Sequence, residues 1–150
     1  MLIMSITTIL LLSAAAILLL RRSSKSFNVL ADYIADEAHA QNVPVRIVQA
    51  IVEVESGGNA DAVGAAGEIG LMQIMPATAL QMGYTGLPSG LFLPSVNIHY
   101  GTKYLAWQLK RYRDLATAIA AYNSGTAVKV GGKFKNQGYV DKVLHAAMVA

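Results

Sequence analysis

Three of the four prolines in this chain stand at the head of a run with helical spacing, and this punctuation constrains the fold more than any other feature. Proline has a fixed φ and no N–H, so it suits the first turn of a helix, where the missing donor has no intrahelical partner anyway. Pro44 precedes VRIVQAIVEVE, which runs to about Glu55; Pro76 opens PATALQMG, ended by Gly83; Pro94 opens PSVNIHYGTKYLAWQLKRY. Upstream, FNVLADYIADEAHAQN sets Phe27, Leu30, Ile34 and Ala38 on one stripe and Asp32, Asp36 and Glu37 elsewhere, before Asn42 breaks it. Asp114 is a predicted N-cap for LATAIAAYN, which runs out at Ser124 and Gly125, and YVDKVLHAAMVA forms the last helix. Between these two, VGGKFKNQG reads as a basic loop. No alternating run supports a sheet, and there is no internal repeat, so the expected fold class is all-α.

Residues 2–20, LIMSITTILLLSAAAILLL, carry no charge and as a helix span about 28 Å, close to the hydrocarbon thickness of a bilayer. No Lys or Arg precedes the run, and its small-residue triplet lies inside it, which argues against a cleaved signal peptide. The expectation is a single N-terminal transmembrane helix over 1–20, a basic tether over 21–26 and one helical domain over 27–150. Arg21, Arg22 and Lys25 account for the net charge of +3, because the other nine basic side chains match the nine acidic ones. That placement points to a lipid membrane as partner, through residues 2–20 and the tether. It also points away from nucleic acid, since no basic helix or aromatic-basic interleaving follows. With no cysteine, disulfides and thiolate chemistry are excluded. His39, His99 and His145 lack metal-ligand spacing, so neither a metal nor a cofactor is expected.

The stretch VEVESGGNADAVGAAGEIGLMQIMP holds three carboxylates among small and apolar residues. At about 100° per residue, Glu53 and Glu55 lie roughly 200° apart and cannot share a helix face. Val48, Ile51 and Val52 place Glu55 on the apolar stripe, whereas Gln49 and Arg46 place Glu53 on the polar one. A carboxyl on the apolar side at a helix C-terminus is kept protonated by desolvation and by the helix dipole, the property a general acid needs. A terminal Glu turned out to solvent is the competing reading, and periodicity alone leaves the two level. Glu68 and Asp61 read as loop carboxylates, so no second catalytic carboxylate emerges beside Glu55.

Five motifs in order resemble the lytic transglycosylases of the soluble type, which share the goose-type lysozyme fold. They are Glu55-Ser56, Gly70 to Pro76 (GLMQIMP), Asn97-Ile98 with Gly101, Tyr104 and Leu105, Ala121 to Gly125 (AYNSG), and Tyr139-Val140 with Val143. The match covers most of residues 40 to 145. This resemblance implies a lysozyme-like helical domain that cleaves the β-1,4 bond between N-acetylmuramic acid and N-acetylglucosamine in peptidoglycan glycan strands, leaving a 1,6-anhydro end. In such enzymes one glutamate acts first as acid and then as base, which accounts for the missing second carboxylate.

Carried over residue by residue, the resemblance makes Glu55 the acid/base, with Tyr122 hydrogen-bonding and orienting it. Ser56, Gln73, Met75 and Asn123 become substrate contacts. The chain departs from the family pattern at Gly64, where relatives can carry a polar residue, and at Glu68, where a small one is usual. A hydrolytic muramidase on the same fold, or a glycan-binding virion protein without turnover, are the competing functions. The positive residues after the apolar run place the domain on the cytoplasmic side by the positive-inside rule, whereas peptidoglycan lies opposite. The expected location is therefore either a bacterial inner membrane with the domain facing the periplasm, against that rule, or the membrane of a phage virion.

Overall fold

The computed structural model describes residues 29–149, together with Ala16. Apart from Ala16, the stretches expected to form the anchor and the tether lie outside the described residues. The chain divides into two compact units, Met1–Asp32 and Tyr33–Ala150, and the description below concerns the second.

Helix α1, over 29–40, ends where Asn42 takes a positive φ of 54°. There follow α2 (Val45–Ser56), α3 (Pro76–Gln81), a 3-10 turn (Pro88–Phe92), α4 (Pro94–Tyr112), α5 (Leu115–Ser124) and α6 (Gln137–Val149). The helix starts follow the proline and cap signals. Pro44 flanks α2, Pro76 and Pro94 lie in the first turns of α3 and α4, and the Asp114 carboxylate accepts the Thr117 N–H at 2.8 Å to cap α5.

The core forms where α2 packs on α6 and α4 on α5, with α5 also against α6. Helix α5 buries five consecutive residues, Ala118 to Tyr122, so it is enclosed on all sides, which its small alanines permit. Ile47, Val48 and Ile51 of α2 meet this core together with Val140 and Val143 of α6. Helix α4 passes so close to the 70–75 turn that a Cβ on Gly101 would fall 2.5 Å from Met72 Sδ.

Two expectations are corrected. Among the described residues no helix is long and apolar enough to cross a membrane, which corrects the expected fold class at its transmembrane helix and leaves a mostly helical domain; residues 2–20, where that helix was expected, lie outside the described residues apart from Ala16. The longest described helix, α4, keeps a polar face, with His99, Lys103, Lys110 and Arg111 along its length.

The segment expected as a basic loop is a short antiparallel hairpin, β1 (Lys129–Val130) with β2 (Lys133–Phe134), so the domain is not purely α. Gly131 and Gly132, both at positive φ, make the two-residue turn that such a hairpin requires. Phe134 is buried beneath it, with Lys129 Nζ 4.5 Å from its ring centre. Two residues per strand are too few to register as alternation in a sequence.

Candidate active site

A cavity of about 480 Å³ opens between the C-terminal end of α2, the 64–78 loop and turn, α4 and the C-terminal end of α5. Glu55 sits on the last turn of α2, and Gly57 then takes a left-handed conformation (φ 60°), stopping the helix with its N–H bonded to the Glu53 carbonyl at 2.9 Å. The helical phase read from the sequence holds: Glu53 is exposed and Glu55 half-buried.

Tyr139, in the first turns of α6, donates its hydroxyl to Glu55 Oε1 at 2.6 Å. Burial pushes the Glu55 carboxyl above the usual range; the Tyr139 hydrogen bond pulls it down, and the charge of Glu68 adds to the rise. The Tyr139 phenol is itself driven far up, first by its own burial and then by the Glu55 charge, so it remains a donor.

The orienting bond expected from Tyr122 is therefore made by Tyr139. Tyr122 is buried and donates to the Met72 carbonyl at 2.8 Å, which braces the 70–75 turn against α5. Burial, with Glu55 and Tyr104 adding to it, holds this phenol well above its ordinary range. The resemblance had marked Tyr139 as part of a motif without giving it a role; its side chain reaches Glu55 from 84 residues away.

Of the expected substrate contacts, Gln73, Met75 and Asn123 line the cavity beside Glu55 and Tyr122, and Ser56 does not. The Ser56 hydroxyl bonds the Leu71 carbonyl at 2.8 Å and the Val52 carbonyl at 3.1 Å, tying the end of α2 to the turn. Gln73 takes a positive φ of 45°, and its Nε2 donates to the carbonyls of Gly70 (2.9 Å) and Ala62 (3.1 Å), so half of its amide holds the loop in shape. Asn123 Oδ1 accepts from Asn136 Nδ2 at 3.0 Å, leaving its own amide hydrogens exposed at the cavity rim.

Glu68 lines the same cavity, with Oε2 accepting the Ala66 N–H at 3.0 Å. Its carboxylate folds over Gly64, where a Cβ would lie 2.2 Å from Oε2. The two departures from the family pattern are thus one arrangement: the missing side chain at 64 makes room for the carboxylate at 68. Glu55 and Glu68 are the only charged side chains lining the cavity among the described residues.

The turn is held from behind by Asn97, which is buried on α4. Its Oδ1 accepts the Met72 N–H, and its Nδ2 donates to the Ile69 and Leu91 carbonyls, each at 2.7 Å. Gly70 is required beside it, since a Cβ there would fall 2.4 Å from Asn97 Nδ2 and its φ is 75°. Among the described residues no three His, Asp or Glu side chains are grouped so as to hold a metal ion.

A desolvated carboxyl, fixed by a phenol and opening on a concave polar site, is equipped for acid–base chemistry. Residues 32–144 match the family model described as the Transglycosylase SLT domain, and the chain belongs to that family. It is 39% identical over 103 residues to a transglycosylase of Enterobacteria phage PRD1, the match covering 69% of this chain and 37% of the relative. It is 34% identical over 110 residues to the membrane-bound lytic murein transglycosylase E of Buchnera aphidicola, covering 64% of this chain and 50% of that one.

Among solved structures it resembles the lytic transglycosylase Slt of Pseudomonas aeruginosa, determined as an inactive Glu-to-Gln mutant. That match has a TM-score of 0.71 and 25% identity over 79% of this chain and 23% of the other. The complex of a 70-kDa soluble lytic transglycosylase with bulgecin A is also similar, with a TM-score of 0.60 and 27% identity over 78% of this chain and 18% of that one. The chain thus spans half or less of the length of these relatives.

Proposed function

We propose that this chain is a peptidoglycan lytic transglycosylase that cleaves the β-1,4 bond between N-acetylmuramic acid and N-acetylglucosamine and leaves a 1,6-anhydro end. The observation that carries this reading is the Glu55 carboxyl, half-buried at the cavity, held by Tyr139 and pushed toward its protonated form. The protonated acid donates to the glycosidic oxygen as the bond breaks. The resulting carboxylate then takes the proton of the C6 hydroxyl as that oxygen closes on C1. Gln73, Met75 and Asn123 line the path of the glycan. Tyr122 serves as a brace for the turn, and Ser56 as a tie between that turn and α2.

The inactivity of the Glu-to-Gln mutant of Slt supports a glutamate in this role. Relatives named for a phage and for bacterial membranes support action at the cell wall, either from a virion or within the envelope. Co-purification with virions separates these two settings.

Glu68 favours one competing reading, the hydrolytic muramidase, because a second carboxylate in the cavity could activate a water. Digestion of purified peptidoglycan followed by mass spectrometry of the new ends decides between them. Anhydro ends support the lytic reaction, reducing ends the hydrolytic one, and intact strands refute both.

The acid step needs protonated Glu55, so the rate falls as pH rises through its pKa. Glu68→Gln removes a charge that raises that pKa and is expected to move the alkaline limb to lower pH. Tyr139→Phe removes a bond that stabilises the carboxylate, so the limb moves to higher pH. The rate of that variant also drops roughly tenfold as the carboxyl loses its orientation. Opposite displacements of the two pH profiles test this arrangement; limbs that stay together or move the same way contradict it.

A further inference from the structure

Gln108 is a fully buried amide on α4, one turn beyond Tyr104, and its hydrogen bonding is lopsided. Its Nε2 lies 2.8 Å from the Tyr104 hydroxyl oxygen, 3.2 Å from the Ala121 carbonyl and 3.3 Å from the Gly125 carbonyl. Its Oε1 is buried with no partner among the described residues. Rotating the amide would set Oε1 against two carbonyl oxygens, acceptor against acceptor, so those carbonyls fix which end faces Tyr104. An orphaned buried oxygen is costly, and the amide is therefore poorly explained by stability alone.

The consequence falls on Tyr104. Its oxygen receives a hydrogen from Gln108, and its own O–H has no acceptor among the described residues. Tyr104 lines the cavity, and its ring is held between Trp107, stacked at 6.0 Å, and Tyr122, tilted at 5.3 Å. Tyr122, the other tyrosine lining the cavity, has already committed its hydrogen to the Met72 carbonyl.

We infer that Tyr104 is a substrate-recognition residue whose hydroxyl donates to a carbonyl oxygen of the bound glycan, with Gln108 as the positioning residue that sets this polarity. A hydroxyl free to turn either way would accept from an amine as readily as it donates to a carbonyl. One whose oxygen is already engaged discriminates in favour of an acceptor. Burial pushes the Tyr104 phenol upward and so keeps its hydrogen in place. The identity of the carbonyl rests on the proposed function: peptidoglycan offers acetamido carbonyls on its sugars and amide carbonyls on its peptide stems.

Tyr104→Phe should fold, because Gln108 Nε2 retains the Ala121 and Gly125 carbonyls. Binding is measured by co-sedimentation with insoluble peptidoglycan on a Glu55→Gln background, and KM and kcat on the otherwise unaltered enzyme. Tyr104→Phe is expected to weaken binding and raise KM about three- to tenfold, with kcat within about twofold. Gln108→Met, which frees the hydroxyl but leaves it able to donate, should lose less.

Three substrates then locate the carbonyl: intact peptidoglycan, strands stripped of peptide stems by an amidase, and chemically de-N-acetylated strands. A Tyr104→Phe penalty that disappears only on de-N-acetylated strands assigns the contact to the acetamido group. One that disappears only on stripped strands assigns it to the stem. Unchanged binding and KM on intact peptidoglycan, a penalty equal on all three substrates, or a loss confined to kcat would each overturn the inference. A parent enzyme that binds yet releases no new ends refutes the lytic reading while the binding comparison still decides the role of Tyr104.

Discussion

Replacing Glu55 with Gln is expected to abolish the release of new glycan ends, lowering kcat on the order of 10²–10⁴-fold with KM little changed. Glutamine has nearly the same shape, and its Oε1 can still accept the Tyr139 hydroxyl, so the cavity and its binding surface are retained. It cannot give up a proton to the leaving oxygen.

The same substitution should raise stability at neutral pH. Because burial raises the proton affinity of Glu55 in the folded state, the folded chain binds more protons than the unfolded one as pH climbs between the two pKa values. The contribution of Glu55 is therefore complete below its unfolded pKa and is lost as pH rises through its folded one. A neutral Gln escapes that loss. Melting curves of the two proteins should separate at pH 7 and converge in acid; a Glu55→Gln protein that melts below the parent at pH 7, or that retains full turnover, contradicts the role given to this carboxyl.

Asn97→Ala carries the largest expected effect on stability. It strips partners from the Met72 N–H and from the Ile69 and Leu91 carbonyls at once, in a site where Asn97 is only 1% exposed. At about 1–3 kcal/mol for each group left orphaned, the Met72 N–H and the Leu91 carbonyl, with a second partner lost from the Ile69 carbonyl, which keeps the Ile74 N–H at 3.1 Å, a loss of about 3–5 kcal/mol is expected. That is a large share of the ordinary stability of a domain, and it corresponds to a fall in melting temperature of roughly 10–20 °C.

Gly70 contributes no side chain to fill the gap. Since Asn97 holds the turn that carries Gln73 and Met75, activity should fall before the protein unfolds. Asn97→Asp keeps an acceptor for Met72 but sets a buried carboxylate oxygen against the Ile69 and Leu91 carbonyls, so at neutral pH it should lose at least as much stability as Asn97→Ala. Urea unfolding of the three proteins tests the order, and an Asn97→Ala midpoint equal to that of the parent would remove Asn97 from this role.

The helix boundaries were legible because their signals are local. Pro44, Pro76 and Pro94 act through their own ring geometry, Asp114 caps the N–H three residues on, and Gly57 and Asn42 end helices through their own φ. The separation of Glu53 from Glu55 was legible for the same reason, since helical phase alone assigns neighbours on one helix to opposite faces. The hairpin at Lys129 to Phe134 escaped notice because its strands are too short to show a period. The transmembrane helix was inferred from residues 2–20, and the described domain contains no helix of that kind.

The sequence by itself therefore determined where most helices begin and end and, through five ordered motifs, the family of the domain. Tertiary structure decided which tyrosine holds Glu55: the motif resemblance named Tyr122, and packing of α6 on α2 delivered Tyr139, while Tyr122 reached the Met72 carbonyl. It also decided that Glu68 shares the cavity of Glu55 over a bare Gly64, and that Asn97 and Gln108 each organise groups on other elements. A cap or a proline acts over one turn and is written in adjacent letters. A hydrogen bond across 84 residues depends on how the helices pack, and the sequence does not state those distances.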